Sequence, residues 1–261
     1  MSSMVDYITG LALKAAARVG RGYYENVQTG KRSGKGLLET IQKIDGTPVI
    51  TEVKFASPSA GRIREHGDPL RIARAMLNGG ACAISVLTDP EDFQGNMDTL
   101  AILSRELDVP LVMKDIIMSP VQIHAAAKAG ASAVVLVSEL FSRRLTEEPL
   151  DKLVREASRL GVEVLLEANS PEEFRKLPEH KPDLYGINNR NLSTFELDLS
   201  TTERVLAMNG KIDRPVVSES GIENRRDIVR LKNAGASAFL VGTSIMKSPN
   251  VESKVRELVN A

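Results

Sequence analysis

Glu52 and Lys54 stand two residues apart in the apolar run Pro48–Phe55. An extended chain turns both side chains to one face, with Ile50 beneath them. A neighbouring carboxylate holds an ammonium charged while burial pushes its pKa the other way, and that balance brings a lysine within range as a proton donor. Four more apolar runs end in the same kind of chemistry: Met113-Lys114-Asp115, Leu166-Glu167-Ala168-Asn169, Asn188-Asn189-Arg190 and Glu219-Ser220-Gly221. An isolated buried charge is very costly, so five such endings are best explained as one polar pocket.

Glycines and hydroxyls supply a second feature. Ser220-Gly221 and Gly242-Thr243-Ser244 follow two of these runs, and Ser57-Pro58-Ser59-Ala60-Gly61 follows Lys54. Glycine lets backbone N–H groups approach an anion closely, and helix starts favour negative charge. Together these segments point to a phosphorylated small substrate. Other chemistries find little support. His66, His124 and His180 form no HxxxH or CxxC pattern, so no metal site is expected, and the first and last read as loop residues, His124 as a helix-surface one. Cys82 begins an apolar run and reads as a small core residue. No GxGxxG or Walker A motif supports nucleotide binding. The pairs Arg143-Arg144 and Arg225-Arg226 read as solvated charges.

The elements that must position these residues alternate along the chain. Eight short runs, Pro48–Phe55, Ala81–Leu87, Val109–Asp115, Ser132–Val137, Val162–Glu167, Leu184–Asn188, Pro215–Glu219 and Ala238–Gly242, are apolar at nearly every position, as parallel strands buried on both faces should be. Helical patterns such as Asp68–Leu77, Met97–Leu107, Pro120–Lys128, Leu150–Leu160 and Asn224–Lys232 separate them. Ser170-Pro171-Glu172-Glu173 has the composition of a helix start. Asn78-Gly79-Gly80-Ala81, Lys128-Ala129-Gly130-Ala131 and Asn233-Ala234-Gly235-Ala236 repeat one design, a glycine-capped helix end leading into a strand. Eight such units most simply close into an α/β (β/α)8 TIM barrel spanning residues 48–261, an open doubly wound sheet being the alternative. Residues 1–47 are expected to be an N-terminal extension packed on the barrel within a single domain, helical around Val5–Arg18 and covering the barrel's bottom.

Composition sets the outer bounds. The 261 residues carry 34 basic and 34 acidic side chains, and zero net charge gives no reason to expect a nucleic acid or an anionic membrane as partner. Hydrophobic content of 42% with 26% charged residues is ordinary for a globular domain. One cysteine cannot form an internal disulfide, and Met1–Gly10 contains Asp6 without the basic start and apolar core of a leader. A cytoplasmic protein is expected.

Taken in order, Glu52-Val-Lys54-Phe-Ala-Ser57-Pro58-Ser59, Leu87-Thr-Asp89 with Phe93-Gln-Gly95, Lys114-Asp115, Leu166-Glu167-Ala-Asn169, Gly186-Ile-Asn188-Asn-Arg190-Asn-Leu192, Ser218-Glu219-Ser220-Gly221-Ile222 and Val241-Gly242-Thr243-Ser244 resemble the indole-3-glycerol phosphate synthase family from about Thr51 to Pro249. The resemblance implies a carboxy-lyase of tryptophan biosynthesis acting on 1-(2-carboxyphenylamino)-1-deoxyribulose 5-phosphate, whose ring closes with loss of CO2 and water. It makes Lys114 the general acid, Glu167 the general base and Asn188 the residue that orients the reacting groups. Lys54 would bind the substrate carboxylate and assist a proton transfer, and Glu52 would tune both lysines. Glu219 and Ser220 would hold substrate hydroxyls and Arg190 would add positive charge. Ser57, Gly221, Gly242 and Thr243 would cradle the phosphate, while Phe93, Ile116 and Leu136 would wall the aromatic ring. Decarboxylation and dehydration need a proton donor and an acceptor, so no cofactor and no metal are expected. Association with other tryptophan-pathway enzymes is compatible with this reading.

Three positions depart from the family pattern. Phe55 stands where a basic residue commonly follows the first lysine, with weaker phosphate-side electrostatics expected; Ile116 replaces an aromatic residue, and Ala60 a loop lysine. Two other readings compete. A phosphate-binding barrel such as phosphoribosylanthranilate isomerase works with a cysteine and aspartate pair, and Cys82 is placed at the wrong end of its strand. A sugar-phosphate-binding scaffold would bind without turnover.

Overall fold

The computed structural model describes residues 6–65, 67–210 and 212–261. The expected helix start at Val5, the first five residues of the leader reading, and His66 lie outside the described residues. Eight parallel strands close into a barrel: β1 (Val49–Val53), β2 (Ala83–Leu87), β3 (Leu111–Lys114), β4 (Ala133–Val137), β5 (Glu163–Ala168), β6 (Leu184–Asn188), β7 (Val216–Glu219) and β8 (Ala238–Val241). β1 pairs with both β2 and β8, with Ile50 opposite Ala83 and Leu240, so there is no open sheet edge. Each strand lies within the apolar run that predicts it, except that β5 runs on by one residue to Ala168. Closure satisfies their backbone groups on both sides, and helices cover their outer faces.

The outer layer runs through α3 (Pro69–Asn78), α4 (Met97–Glu106), α5 (Pro120–Ala129), α6 (Ser138–Ser142), α7 (Leu150–Arg159), α8 (Pro171–Phe174), α9 (Ser200–Asn209), α10 (Arg225–Asn233), α11 (Thr243–Lys247) and α12 (Val251–Val259). The repeated glycines do the expected work. Gly130 caps α5 at φ +88°, and Gly80 and Gly235 take φ +103° and +111° in the equivalent turns. Ser170 accepts a hydrogen bond from the Glu173 N–H and starts α8, as its sequence indicates.

Parallel register stacks the interior in layers. Ile50, Ala83, Val112, Ala133, Leu165, Leu184, Val217 and Ala238 fill the lower barrel with Leu240 and Val135. Above them, β5 sets Glu167 opposite Gly186, and β6 sets Asn188 opposite Glu219. The functional side chains thus crown an apolar plug at the strands' C-terminal ends.

The N-terminal extension does not simply cover the bottom. α1 (Tyr7–Gly20) lies across the top: its buried face, Ile8, Leu11, Ala12 and Ala15, meets Ile116, Met118, Val137 and Leu140 at the ends of β3 and β4. Only α2 (Leu37–Lys43) closes the base, where Leu37 and Ile41 pack on Ile50 and its neighbours. Glu163 caps α2 from another element, accepting from the Leu37 and Leu38 N–H groups at 2.5 and 3.1 Å. The intervening chain descends the barrel's side, where the Gly30 N–H donates to the Lys128 carbonyl at 2.8 Å. A β-carbon at Gly30 would fall 2.0 Å from the Ala129 oxygen, so only glycine permits this approach. An apolar helix stripe seeks any matching surface, and the barrel offers one at each end.

Candidate active site

β1 delivers Glu52 into the barrel and the next turn delivers Lys54. Glu52 Oε1 lies 2.6 Å from Lys54 Nζ, and Glu52 Oε2 lies 3.6 Å from Lys114 Nζ. From β3, Lys114 Nζ donates to Glu219 Oε2 of β7 at 2.6 Å. Across the mouth, Asn188 Nδ2 donates to Glu167 Oε1 at 2.7 Å, while Asn188 Oδ1 accepts from the Arg190 N–H at 2.9 Å. Two lysines and three carboxylates from β1, β3, β5 and β7 therefore meet over one cavity of about 320 Å³.

Glycine makes the crowding feasible at two points. A β-carbon on Gly242 would sit 2.5 Å from Glu52 Oε1, and one on Gly186 would sit 2.9 Å from Glu219 Oε1. Gly242 therefore makes room for a carboxylate as well as lining the cavity beside Thr243.

Burial and neighbouring charge set opposite conditions on the acid and the base. Burial works against the Lys114 charge, but the carboxylates of Glu219, Glu52 and Glu167 outweigh it and hold the ammonium above the ordinary lysine range. Burial raises Glu52 too, yet Lys54 and Lys114 bring its carboxyl below the usual range. Glu167 goes the other way. Burial and the Glu219 charge push it up to about 7, against the pull of Lys114 and the Asn188 hydrogen bond. Glu219 is also raised, chiefly by burial, and its Oε1 is buried with no hydrogen-bond partner. The site thus holds a firmly charged donor together with a carboxylate poised near neutrality.

The mouth gathers nearly all the residues its sequence indicates. Lys54, Lys114, Glu52, Glu167, Asn188, Arg190, Ser220, Phe93 and Ile116 line the cavity, with Ser57, Gly221, Gly242 and Thr243 at the glycine-rich end. Glu219 lies immediately behind Lys114. Ser220 takes φ +68° and Gly221 +80°, a left-handed pair that turns the chain across the opening.

Leu136 is a correction. It is buried in the layer between strands and helices, while Val135 and Val137, one residue either side, line the cavity. Alternation along β4 forbids all three from sharing a face. Phe55 is a second. Its side chain is buried in that same outer layer and does not line the mouth, so the weakened phosphate-side electrostatics expected there do not follow. Arg143 is exposed, as its sequence indicates, and pairs at the surface with Asp6, Glu139 Oε1 at 3.2 Å and Ser193 Oγ at 3.3 Å.

Several participants escape a sequence reading. Tyr7 and Leu11 of α1, with Leu192 and Phe195 of the loop after β6, line the mouth, and the Tyr7 and Phe195 rings meet at a tilt of 53° with centroids 4.2 Å apart. Arg18 is wholly buried. Its Nη2 lies 2.9 Å from Asp89 Oδ2 and 3.2 Å from Asp115 Oδ1, and its Nε donates to the Tyr24 hydroxyl at 3.2 Å. Spacing carries no signal for these, because each partner comes from a distant element. His124 faces Glu156 at the surface, His180 Nδ1 lies 2.6 Å from Asp151, and burial pushes the Cys82 thiol up to about 12. Among the described residues, no group of three or more His, Cys, Asp and Glu side chains is placed to hold a metal ion. No helix among them is long and apolar enough to cross a membrane.

Fold and mouth together define an acid–base enzyme built on a (β/α)8 barrel. Solved structures alike in fold include the N-acetylmannosamine-6-phosphate 2-epimerase of Clostridium perfringens, with TM-score 0.63, 14% identity and coverage of 83% of this chain and 93% of that one. Thiamine phosphate pyrophosphorylase from Pyrococcus furiosus gives TM-score 0.58 at 18% identity, covering 81% and 93%. The family model described as indole-3-glycerol phosphate synthase matches residues 14–258. Curated relatives of that name include those of Rhodopirellula baltica, 43% identical over 84% of this chain and 83% of the relative, and Koribacter versatilis, 40% identical over 82% and 80%. The chain belongs to the indole-3-glycerol phosphate synthase family. Members are carboxy-lyases of tryptophan biosynthesis.

Proposed function

We propose that this mouth closes the indole ring of 1-(2-carboxyphenylamino)-1-deoxyribulose 5-phosphate with Lys114 as general acid and Glu167 as general base. The observation that carries the assignment is the placement of a charged Lys114 and a Glu167 lifted to about 7 in the lining of one cavity, on strands separated by β4 alone.

The aromatic carbon bearing the carboxylate attacks the ribulose carbonyl carbon. Lys114 protonates the carbonyl oxygen as it gains charge, and that oxygen becomes a hydroxyl. Loss of CO2 returns the bonding electrons to the ring. Dehydration then removes the hydroxyl as water with a proton from Lys54, while Glu167 takes a proton from the ring system. Before ring closure, Lys54 binds the substrate carboxylate, and Glu52 pairs with Lys54 at 2.6 Å and with Lys114 at 3.6 Å. Asn188 holds Glu167 in its orientation through their 2.7 Å hydrogen bond. A substrate hydroxyl donating to the unpartnered Glu219 Oε1 would satisfy it, with Ser220 beside it. Arg190 adds positive charge. Ser57, Gly221, Gly242 and Thr243 cradle the phosphate, and Phe93 and Ile116 wall the ring together with Val135 and Val137.

Residues 1–47 belong to the same unit as 48–261 in this reading, because α1 lines the mouth and α2 closes the base. A cytoplasmic setting and contact with other enzymes of tryptophan biosynthesis belong to the same proposal, supported by the family's pathway.

The test follows indole fluorescence after adding the substrate to purified protein in buffer with EDTA. Positioned acid–base groups supply about 10²–10⁴-fold in rate, so Lys114→Ala and Glu167→Gln should each lose turnover on that scale with native circular dichroism. Near-normal turnover in both would refute the assigned roles.

A further inference from the structure

We propose that Lys247 is the cation that binds the substrate phosphate, a role that rests on reading the glycine-rich end of the mouth as a phosphate site. Lys247 ends α11, the short helix that Thr243 begins, and it lines the same cavity wall as Gly221, Gly242, Thr243 and Ser244. Those four offer backbone N–H groups and hydroxyls but no charge, whereas a sugar phosphate brings between one and two negative charges at neutral pH.

The other cations of the mouth are already committed. Lys54 is 2.6 Å from Glu52, and Lys114 is 2.6 Å from Glu219. Arg190 donates to the Phe195 carbonyl at 3.1 Å. The Lys247 ammonium has no ion-pair or hydrogen-bond partner among the described residues. Glu223 is the carboxylate on this wall. Without Lys247 the phosphate would meet neutral donors and one repelling charge.

The backbone under Lys247 is braced. Arg64 Nη1 donates to the carbonyls of Met246 at 3.2 Å and Ser248 at 3.3 Å, the two residues that flank it. Arg64 belongs to the segment that follows the hairpin of Ala56–Ser57 with Gly61–Arg62, and Ser57, Pro58, Ser59 and Ala60 line the same cavity as Lys247. One guanidinium therefore ties the segment after the 57–61 loop to the end of α11. Ala60, which lines the cavity where the family commonly carries a loop lysine, supplies no charge here, and Lys247 meets that need.

Lys247→Met removes the charge and keeps the length of the stem. Two quantities decide the matter: KM for the phosphorylated substrate and the inhibition constant of inorganic phosphate, both at low ionic strength. Each should rise about tenfold, with kcat keeping more than half its value, Lys247→Arg restoring both and added salt narrowing the gap. Unchanged KM and unchanged phosphate inhibition would overturn the proposal, and so would a loss confined to kcat. If wild-type protein turned over substrate yet used a dephosphorylated analogue equally well and ignored inorganic phosphate, the phosphate reading of this end would itself fall.

Discussion

Replacing Arg18 by Met removes the only positive charge in direct contact with two wholly buried carboxylates among the described residues. The guanidinium lies 2.9 Å from Asp89 Oδ2 and 3.2 Å from Asp115 Oδ1, and all three side chains have no exposed surface. Thr88 and Tyr24 hydroxyls still donate to Asp115 Oδ2 at 2.6 and 3.0 Å, but neither carries charge. Breaking a buried ion pair from one side typically costs about 3–5 kcal/mol, which at about 2–4 °C per kcal/mol lowers Tm by roughly 6–20 °C. The pH dependence follows from Asp115. Its carboxyl is already raised by burial, with Arg18 pulling it back, so losing Arg18 raises it further. A carboxyl raised in the folded state binds more protons than in the unfolded chain, and its contribution to stability falls as pH rises through that window. The deficit of Arg18→Met should therefore be largest at pH 7–8 and shrink toward pH 5. Thermal melts at four pH values between 5 and 8 would measure it. Adding Asp89→Asn and Asp115→Asn to Arg18→Met removes the stranded charges and should recover part of the loss. A Tm within about 3 °C of wild type at pH 7, or a deficit independent of pH, would refute the electrostatic account. Because Asp115 adjoins Lys114 and Arg18 holds α1 over the mouth, turnover should fall with stability.

The acid–base assignment makes a pH prediction of its own. Glu167 acts as a base only when ionised, so kcat/KM should rise with pH through about 7 and then level, and Glu167→Gln should abolish that limb along with most of the rate. Lys114 is held above the ordinary lysine value of about 10.4, so the profile should stay flat to about pH 9. A limb that survives in Glu167→Gln would assign it to another group. Leu136→Ala should cost about 2–5 kcal/mol of stability in a denaturant titration and leave KM unchanged, because the side chain packs under the helices; a raised KM would place it in the mouth.

The barrel and its crown of charges are written in the sequence because both depend on local pattern. Parallel strands buried on two faces must be apolar throughout, so the eight runs stand out. A lysine or glutamate at the end of such a run has few places to go except a shared pocket, which is why Glu52, Lys54, Lys114, Glu167, Asn188 and Glu219 could be found without coordinates. Those same residues declare the inward face of their strands. β4 has no such marker: Ala133-Val-Val-Leu-Val137 is apolar on both faces, so only its pairing with β3 and β5 decided that Val135 and Val137, not Leu136, face the substrate. Phe55, two residues past the end of β1, is settled by its packing in the outer core. Where α1 lies, what Arg18 neutralises, and how Lys247 comes to share a wall with Gly221 were decided by tertiary structure alone. Each joins residues from distant elements, and a one-dimensional pattern records the chemistry a side chain offers but not the partner that folding brings to it.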